Sequence, residues 1–371
     1  MKIDTSTWDK VTLGDIAQSL TVATKDPLSE GLERYVGLEH IEPGNIHIKS
    51  WGNVADGTTF TRVFRKGQVL FGKRRAYQKK AAMAEFDGIC SGDILVCEAI
   101  KDVVLPELLP FVVQSDRFFE YAIKTSAGSL SPRTKFKDLA KFTFKLPAKP
   151  DDQKRIANLL WSIDSSILMW DEVLIALDTL YTKYGQDYLL NSHLKKKELV
   201  EVADINMGQS PPGSAYNEDG SGMPFLQGNA EFGEVSPKHI KFTSITTKIA
   251  SKGDILLSVR APVGEINIAD RSYCIGRGLS ALSMKDKDLN AFLKHVLIFL
   301  RADLEKKSTG STFKAINKQV LEMIGVPFGD KDLLLAVSGR LEKMTEVKKQ
   351  VQINVGNIKR IQNQIINQIF G

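Results

Sequence analysis

GSLSPRTKFKDLAKFTF at 128–144 and GSTFKAINKQVLEMIGV at 310–326 decide how this chain is built. Both open on Gly-Ser after a helix-like stretch and reach an apolar run at the same distance. Leu139 answers to Leu321, Phe142 to Ile324 and Phe144 to Val326, a constant offset of 182 positions, from 128 to 310. Outward from them the echo continues. KGQVLFGKRR at 66–75 aligns with KGDILLSVRA at 252–261 (offset 186, from 66 to 252), and LGDIA at 13–17 with VADIN at 202–206 (offset 189, from 13 to 202). A slowly drifting offset with a fixed order of landmarks marks an internal duplication whose copies differ by small loop insertions.

Each copy has two parts. The first mixes short alternating runs with Gly, Pro and Asn punctuation, the pattern of strands and turns. VLF at 69–71, DILV at 93–96, DILLSV at 254–259 and EINIA at 265–269 read as strands, and apolar spacing predicts helices over 106–124 and 288–305. The second part is one long helix. From Asp151 on, apolar residues fall at Ile156, Leu160, Ile163, Ile167, Trp170, Leu174, Leu177, Tyr181, Tyr184 and Tyr188, in alternating steps of four and three. That is a heptad seam. Pro150 and the acids Asp151 and Asp152 supply its start signal. The C-terminal stretch repeats the design through Val337, Leu341, Met344, Val347, Val351, Val355, Ile358, Ile361, Ile365 and Ile369. About forty residues make a rod of roughly 60 Å. Each rod must bury its stripe, and the other rod is the matching partner. The sequence therefore predicts an α+β dumbbell: two pseudo-symmetric domains, 1–150 and 195–329, separated by two long antiparallel coiled-coil helices, 151–194 and 330–371.

Composition narrows the function. The 371 residues are 43% hydrophobic and 25% charged, ordinary for a globular protein, and too many for one hydrophobic core. The polar start MKIDTSTWDK and the lack of a bilayer-length apolar run predict a cytoplasmic protein. Cys90, Cys97 and Cys274 are odd in number and scattered, so they read as small buried apolar side chains rather than a disulfide or zinc framework. The five histidines, His40, His47, His193, His239 and His295, keep no metal-motif or triad company and read as surface or satisfied loop residues. Ser210-Pro211-Pro212-Gly213 lacks the aromatic that a base-flipping methyltransferase tetrapeptide needs, and Gly276-Arg277-Gly278 alone is too little for a cofactor loop. Pro150-Asp151-Asp152-Gln153-Lys154 compresses two nuclease-like pieces into one helix start, where acids serve the dipole instead of converging on a metal. No catalytic, cofactor or metal constellation emerges; the chain reads as a binder.

A net charge of +6 fits a polyanionic partner, and the basic residues cluster. In GKRRAYQKK at 72–80, Lys73, Arg74, Arg75, Lys79 and Lys80 surround Tyr77 and Gln78. Lys and Arg neutralise phosphates, and Arg or Gln read purine edges. A plain solvated loop would look the same. The second copy keeps only Arg260 there, a divergence expected if one scaffold reads two targets. Ser129 and Ser311, each after a glycine, would bring a hydroxyl and backbone N–H groups near a helix start, as phosphate contacts or as simple caps. Arg133, Thr134 and Lys135 in the first copy, and Lys314, Asn317 and Lys318 in the second, lie beside them. The polar loop at 206–232 adds Gln209, Tyr216, Asn217, Gln227 and Asn229.

The whole layout resembles the specificity subunit of type I restriction–modification enzymes. Each domain closes on GS-x(9)-L followed by apolar residues and hands the chain to a long helix. LPAKPDDQKRIANLL at 146–160 is similar to that family's P-x-x-x-E-Q-x-x-I entry into its spacer helix, with Asp152 in place of Glu and one residue more between Pro147 and that position. FGDKDLLLAVSGRL at 328–341 departs from it, lacking the Pro and Gln. The resemblance implies two target-recognition domains, each reading half of a split site on double-stranded DNA. It further implies two methyltransferase subunits that carry S-adenosylmethionine themselves, and motor–nuclease subunits for restriction. This chain would hold no cofactor or metal and catalyse nothing. The alternatives are a homologous module of another phage-defence system, a stand-alone methyltransferase or nuclease, and a coiled-coil scaffold indifferent to sequence.

Overall fold

The computed structural model describes residues 5–191, 193–238, 241–309 and 314–371. They form two compact units, one of residues up to Asp171 together with Ile353–Gly371, the other Glu172–Gln352. The class is α+β, with the same small sheets built twice and two long helices. No helix among the described residues is long and apolar enough to cross a membrane.

In the first unit a four-stranded antiparallel sheet runs Ala17–Leu20, Ile94–Ala99, Val69–Gly72, Ala81–Met83. In the second unit the order Ala203–Met207, Leu279–Met284, Ile255–Ser258, Ile266–Ile268 repeats it. Each unit adds a second sheet around one parallel pair, Tyr35 beside Ile89 in the first and Phe225 beside Cys274 in the second. A two-stranded ribbon closes each domain, Asp9–Thr12 with Thr143–Leu146 and Lys195–Glu198 with Gly325–Phe328. The opening segments thus end in equivalent strands. Their apolar residues enter equivalent cores, which are filled differently. Phe71, Phe118, Phe119, Phe142 and Phe144 interlock in the first; Leu257, Leu321, Ile324 and Val326 stand in the second.

Both helices expected before the Gly-Ser segments are broken. The first comprises a tight turn at Pro106–Leu108, then Leu109–Gln114 and Asp116–Lys124. Ser115 interrupts it in extended backbone and caps the next turn by accepting a hydrogen bond from the Phe118 N–H at 3.3 Å. The second divides at Leu300 into Asn290–Phe299 and Arg301–Lys307. Apolar spacing runs on through such breaks, because both pieces face the same core.

The long helices are α1, Pro150–Gly185 with a wider turn at Gln186–Leu190, and α2, Lys331–Phe370. In the first unit the start of α1 meets the end of α2, and Ala157, Leu160, Ile366, Ile369 and Phe370 share one core. In the second unit Tyr181, Tyr184 and Leu189 of the α1 end share a core with Leu334, Val337 and Leu341 of the α2 start. Most seam residues face inward; Tyr188, Val347 and Ile361 are exposed.

The helix entries explain why the second departs from the first. Buried Gln153 accepts a hydrogen bond from the Leu105 N–H at 2.8 Å and donates to the Pro147 carbonyl at 2.9 Å, tying α1 to the turn that follows the Ile94–Ala99 strand. In the second copy Lys331 ties α2 to the equivalent turn through Asp286 at 2.7 Å and Asp288 at 2.8 Å. An ion pair replaces an amide, so no Gln is needed.

Two histidines fasten the domains to these helices. His47 lies between Glu85 (2.5 Å) and Asp164 of α1 (2.6 Å), and the hydrogen bond to Asp164 leads in raising its pKa to about 8, against the opposing effect of burial. His295 is a correction to the expected loop or surface histidine. It is buried on a helix, 2.9 Å from the Tyr181 hydroxyl and 3.2 Å from Glu342 of α2. That contact leads in lowering the Glu342 pKa to about 2. His239 lies outside the described residues. All three cysteines are free and buried.

Candidate nucleic-acid interface

The loop after the Val69–Gly72 strand and the segment opening on Gly128 are joined backbone to backbone. Thr134 N–H donates to the Lys73 carbonyl at 3.0 Å, and Arg75 N–H to the Pro132 carbonyl at 2.8 Å. In the second copy Ile316 N–H donates to the Val259 carbonyl at 2.9 Å, and Ala261 N–H to the Lys314 carbonyl at 3.1 Å. Isolated bridges repeat the match, Arg74 with Arg133 and Arg260 with Ala315. Residues that the sequence separates by some sixty positions, 73–75 and 133–135, thereby share one edge, as 260 and 314–318 do in the second unit.

Side chains on that edge differ. In the first copy Arg133 grips Asp93 with two hydrogen bonds, Nε at 2.8 Å and Nη2 at 3.2 Å. Arg74 lies 3.5 Å from the same carboxylate and donates to the Ser131 hydroxyl at 3.3 Å. The Arg133 guanidinium holds the Asp93 carboxyl below the usual carboxylate range. Arg75 adopts the left-handed conformation, φ 53°, and the Nε atoms of Arg74 and Arg75 are buried with no hydrogen-bond partner among the described residues. Burial leads in lowering the Lys73 pKa. Asp93 thus holds Arg74 and Arg133 in place, unlike freely solvated charge. Tyr77 stands out at 54% exposure, with half-buried Gln78 beside it. Lys79 and Lys80 are engaged elsewhere, Lys79 with Asp116 at 2.7 Å and Lys80 with the Leu38 carbonyl at 2.6 Å.

Two expectations, for Ser129 and Thr134, need correcting. Ser129 is neither a cap nor near a helix start: the Ala127–Arg133 bridge closes a loop over 128–132, and the next helix begins at Phe136. Gly128, at φ 115°, makes that loop turn. Thr134 is 1% exposed, its hydroxyl 3.1 Å from that of Thr125, so it supports the edge from beneath. Asn317 caps the helix Lys318–Glu322 by accepting from the Val320 N–H at 2.9 Å. Lys135, Arg260, Lys314 and Lys318 are exposed, Lys318 with Glu322 at 3.4 Å. Ser311 lies outside the described residues.

The polar loop of the second unit divides. Asn217 is spent on its own turn, bonded both ways to Ser221. Asn229 opens a tight turn, Asn229–Glu231. Gln209, Tyr216 and Gln227 instead converge with Gly208, Ser210 and Arg277 on one open cleft of about 410 Å³. Tyr216 stacks on Phe225 with centroids 4.8 Å apart. Arg277 and Asp93 escaped the sequence reading. In the sequence Gly276-Arg277-Gly278 reads only as too little for a cofactor loop, and a lone Asp carries no pattern.

A family model for the type I restriction modification DNA specificity domain matches residues 5–171 and 191–333. The chain belongs to this family. It is the DNA specificity subunit of a type I restriction–modification system, the non-catalytic component. It is 30% identical over 330 residues to a protein of Methanocaldococcus jannaschii described as a type I restriction enzyme MjaX specificity subunit, covering 79% of this chain and 76% of that one. Against the EcoDI specificity subunit of Escherichia coli it is 27% identical over 151 residues, 38% of this chain and 31% of that one. A solved chain from work on assembly and conformational transition of the type I R-M system superposes with a TM-score of 0.68 at 27% identity, covering 98% of this specificity subunit and 97% of that chain. The HsdS subunit of Thermoanaerobacter tengcongensis gives 0.54 at 27% identity, with the same coverage.

Proposed function

We propose that this specificity subunit reads a split site on double-stranded DNA, one half per domain, through the edge each domain builds from its strand-end loop and its closing segment. The boundaries 1–150, 151–194, 195–329 and 330–371 then separate two target-recognition domains from two spacer helices. The observation that carries the reading is the twofold occurrence of the same backbone lacing, at 73–75 with 132–134 and at 259–261 with 314–316. Duplicated scaffolds with unlike side chains suit two unlike half-sites. Arg74, Arg75, Arg133 and Lys135 in the first copy, and Arg260 and Lys314 in the second, are the phosphate and base contacts of these edges.

Two methyltransferase subunits dock on the long helices, bind S-adenosylmethionine in themselves and methylate adenines; motor–nuclease subunits join for restriction. Supporting the docking, Val173, Ala176 and Leu180 form an exposed apolar stripe on α1 at helical spacing. The test is methylome sequencing of a host expressing this chain with its methyltransferase. Adenine methylation at one two-part motif is expected, and an active partner without such a motif would overturn the reading. The spacer helices then act as a ruler. One heptad added to each at matched positions lengthens the rod by about 10 Å, roughly three base pairs at 3.4 Å each. The gap between half-sites should lengthen accordingly, and an unchanged gap would sink the ruler.

A further inference from the structure

In the second unit three chain segments meet almost backbone to backbone. The Gln209 N–H donates to the Ile275 carbonyl at 2.9 Å, the Gly276 N–H to the Leu226 carbonyl at 2.7 Å, and the Gly278 N–H to the Gln227 carbonyl at 3.2 Å. A Cβ at Gly208 would stand 2.2 Å from the Gly276 carbonyl oxygen, and one at Gly278 would stand 2.5 Å from that of Gln227, so neither position admits a side chain. The Arg277 N–H is pinned to the Ser210 hydroxyl at 3.2 Å. From this rigid base Gln209, Gln227 and Arg277 are exposed on the cleft that also includes Tyr216. The Arg277 guanidinium has no hydrogen bond or ion pair among the described residues, although the backbone beneath it is locked.

Resting on the DNA-reading function, we propose that Arg277 specifies a guanine in the half-site of the second domain. A guanidinium fork matches the paired O6 and N7 acceptors of guanine in the major groove, a pair that no other base offers there and that a lysine ammonium meets with less defined geometry. The neighbouring amides of Gln209 and Gln227 offer donors and acceptors to the adjoining base pair. The first domain lacks this device. The strand pairings and the Ser91-to-Val36 hydrogen bond at 3.0 Å, which matches that from Gly276 to Leu226, put Gly92 at the place of Arg277 and Gly37 at that of Gln227. Its cations sit one step along the same edge, around Asp93.

The test uses the assembled methyltransferase complex and duplexes randomised in one half-site at a time. With Arg277→Ala, one guanine position of the second half-site should become indifferent, losing about five- to 150-fold discrimination, while the first half-site is read as before. The intact first half-site reports that the variant is folded. Arg277→Lys should keep overall affinity and weaken the guanine preference, less than Arg277→Ala does, because an ammonium reaches O6 and N7 without the planar fork. A uniform loss of affinity over all sequences, with a shallower salt dependence, would make Arg277 a phosphate contact and overturn the proposal; so would an unchanged motif. A wild-type complex that binds without a two-part motif would instead overturn the DNA-reading function, and this proposal with it.

Discussion

The two proposed reading edges share their hydrogen-bonded frame and almost none of their exposed chemistry. In the first copy Asp93 gathers Arg74 and Arg133 into one network. In the second, Gly278 takes the place of the acid, shown by matching bonds of 2.9 Å from Lys73 to Asp93 and from Val259 to Gly278. There Arg260 and Arg277 stand without an acidic partner among the described residues. What holds the edge together is main chain, so the side chains can be exchanged without refolding it. The cores follow the same rule, with Phe142 and Phe144 of one copy replaced by Ile324 and Val326 in the other.

The largest effect should come from those cores. Phe142 is buried, edge-on to Phe118 at 5.2 Å and stacked on Phe144 at 5.8 Å. Phe142→Ala should cost about 3–5 kcal/mol and Ile324→Ala about 2–5 kcal/mol. All four tryptophans, Trp8, Trp51, Trp161 and Trp170, belong to the first unit. Urea unfolding followed by tryptophan fluorescence should therefore register Phe142→Ala, and circular dichroism should register both. A fluorescence transition that moves equally for Ile324→Ala would show that the two units unfold as one.

Much of this was legible in the sequence, and the reason is periodicity. Offsets between copies, the heptad seams from Ile156 and Val337, and the strand at 69–71 all rest on repeating patterns that one chain displays. What stayed hidden depends on tertiary placement. Ser129 looked like a cap because Gly-Ser so often precedes a helix, but the bridge between Ala127 and Arg133 diverts the chain first. Thr134 reads as polar surface until Thr125 is placed against it. Gln153 and Lys331 perform one task with different chemistry, which no alignment of letters discloses.

The histidine ties separate the copies by pH. His47 rises from 6.5 to about 8 on folding, so its contribution is full below pH 6.5 and is lost as pH climbs through 8. At 12% side-chain exposure, that shift corresponds to about 2 kcal/mol. Glu342, lowered from 4.5 to about 2, contributes above pH 4.5 and loses that contribution only as pH falls through 2. Raising pH from 6.5 to 9 should loosen the first tie and leave the Glu342 carboxylate ionised. Hydrogen-exchange protection, corrected for the base-catalysed rise of intrinsic exchange, should then fall around His47 and Asp164, and His47→Gln should abolish that pH dependence. Protection around His47 that stays constant from pH 6.5 to 9 would contradict that expectation.

The smallest effect tests the contrast between the edges directly. Asp93→Asn keeps the size of the side chain and an acceptor for Arg133, but removes the charge that Arg74 and Arg133 share. On the proposed reading, one more positive charge then faces the phosphates of the first half-site. Affinity should rise several-fold, about 1 kcal/mol or less for so exposed a pair, and the logarithmic salt dependence should steepen by about one unit. Base preference should not move, because a charge gained at the backbone carries no sequence information. Salt titrations of the assembled complex on specific duplexes would measure all three. Weaker binding with a blurred first half-site would mean that Asp93 orders Arg133 for base reading. The first copy would then rely, like the second, on an arginine fixed from behind, by an acid where the second uses the backbone around Gly278.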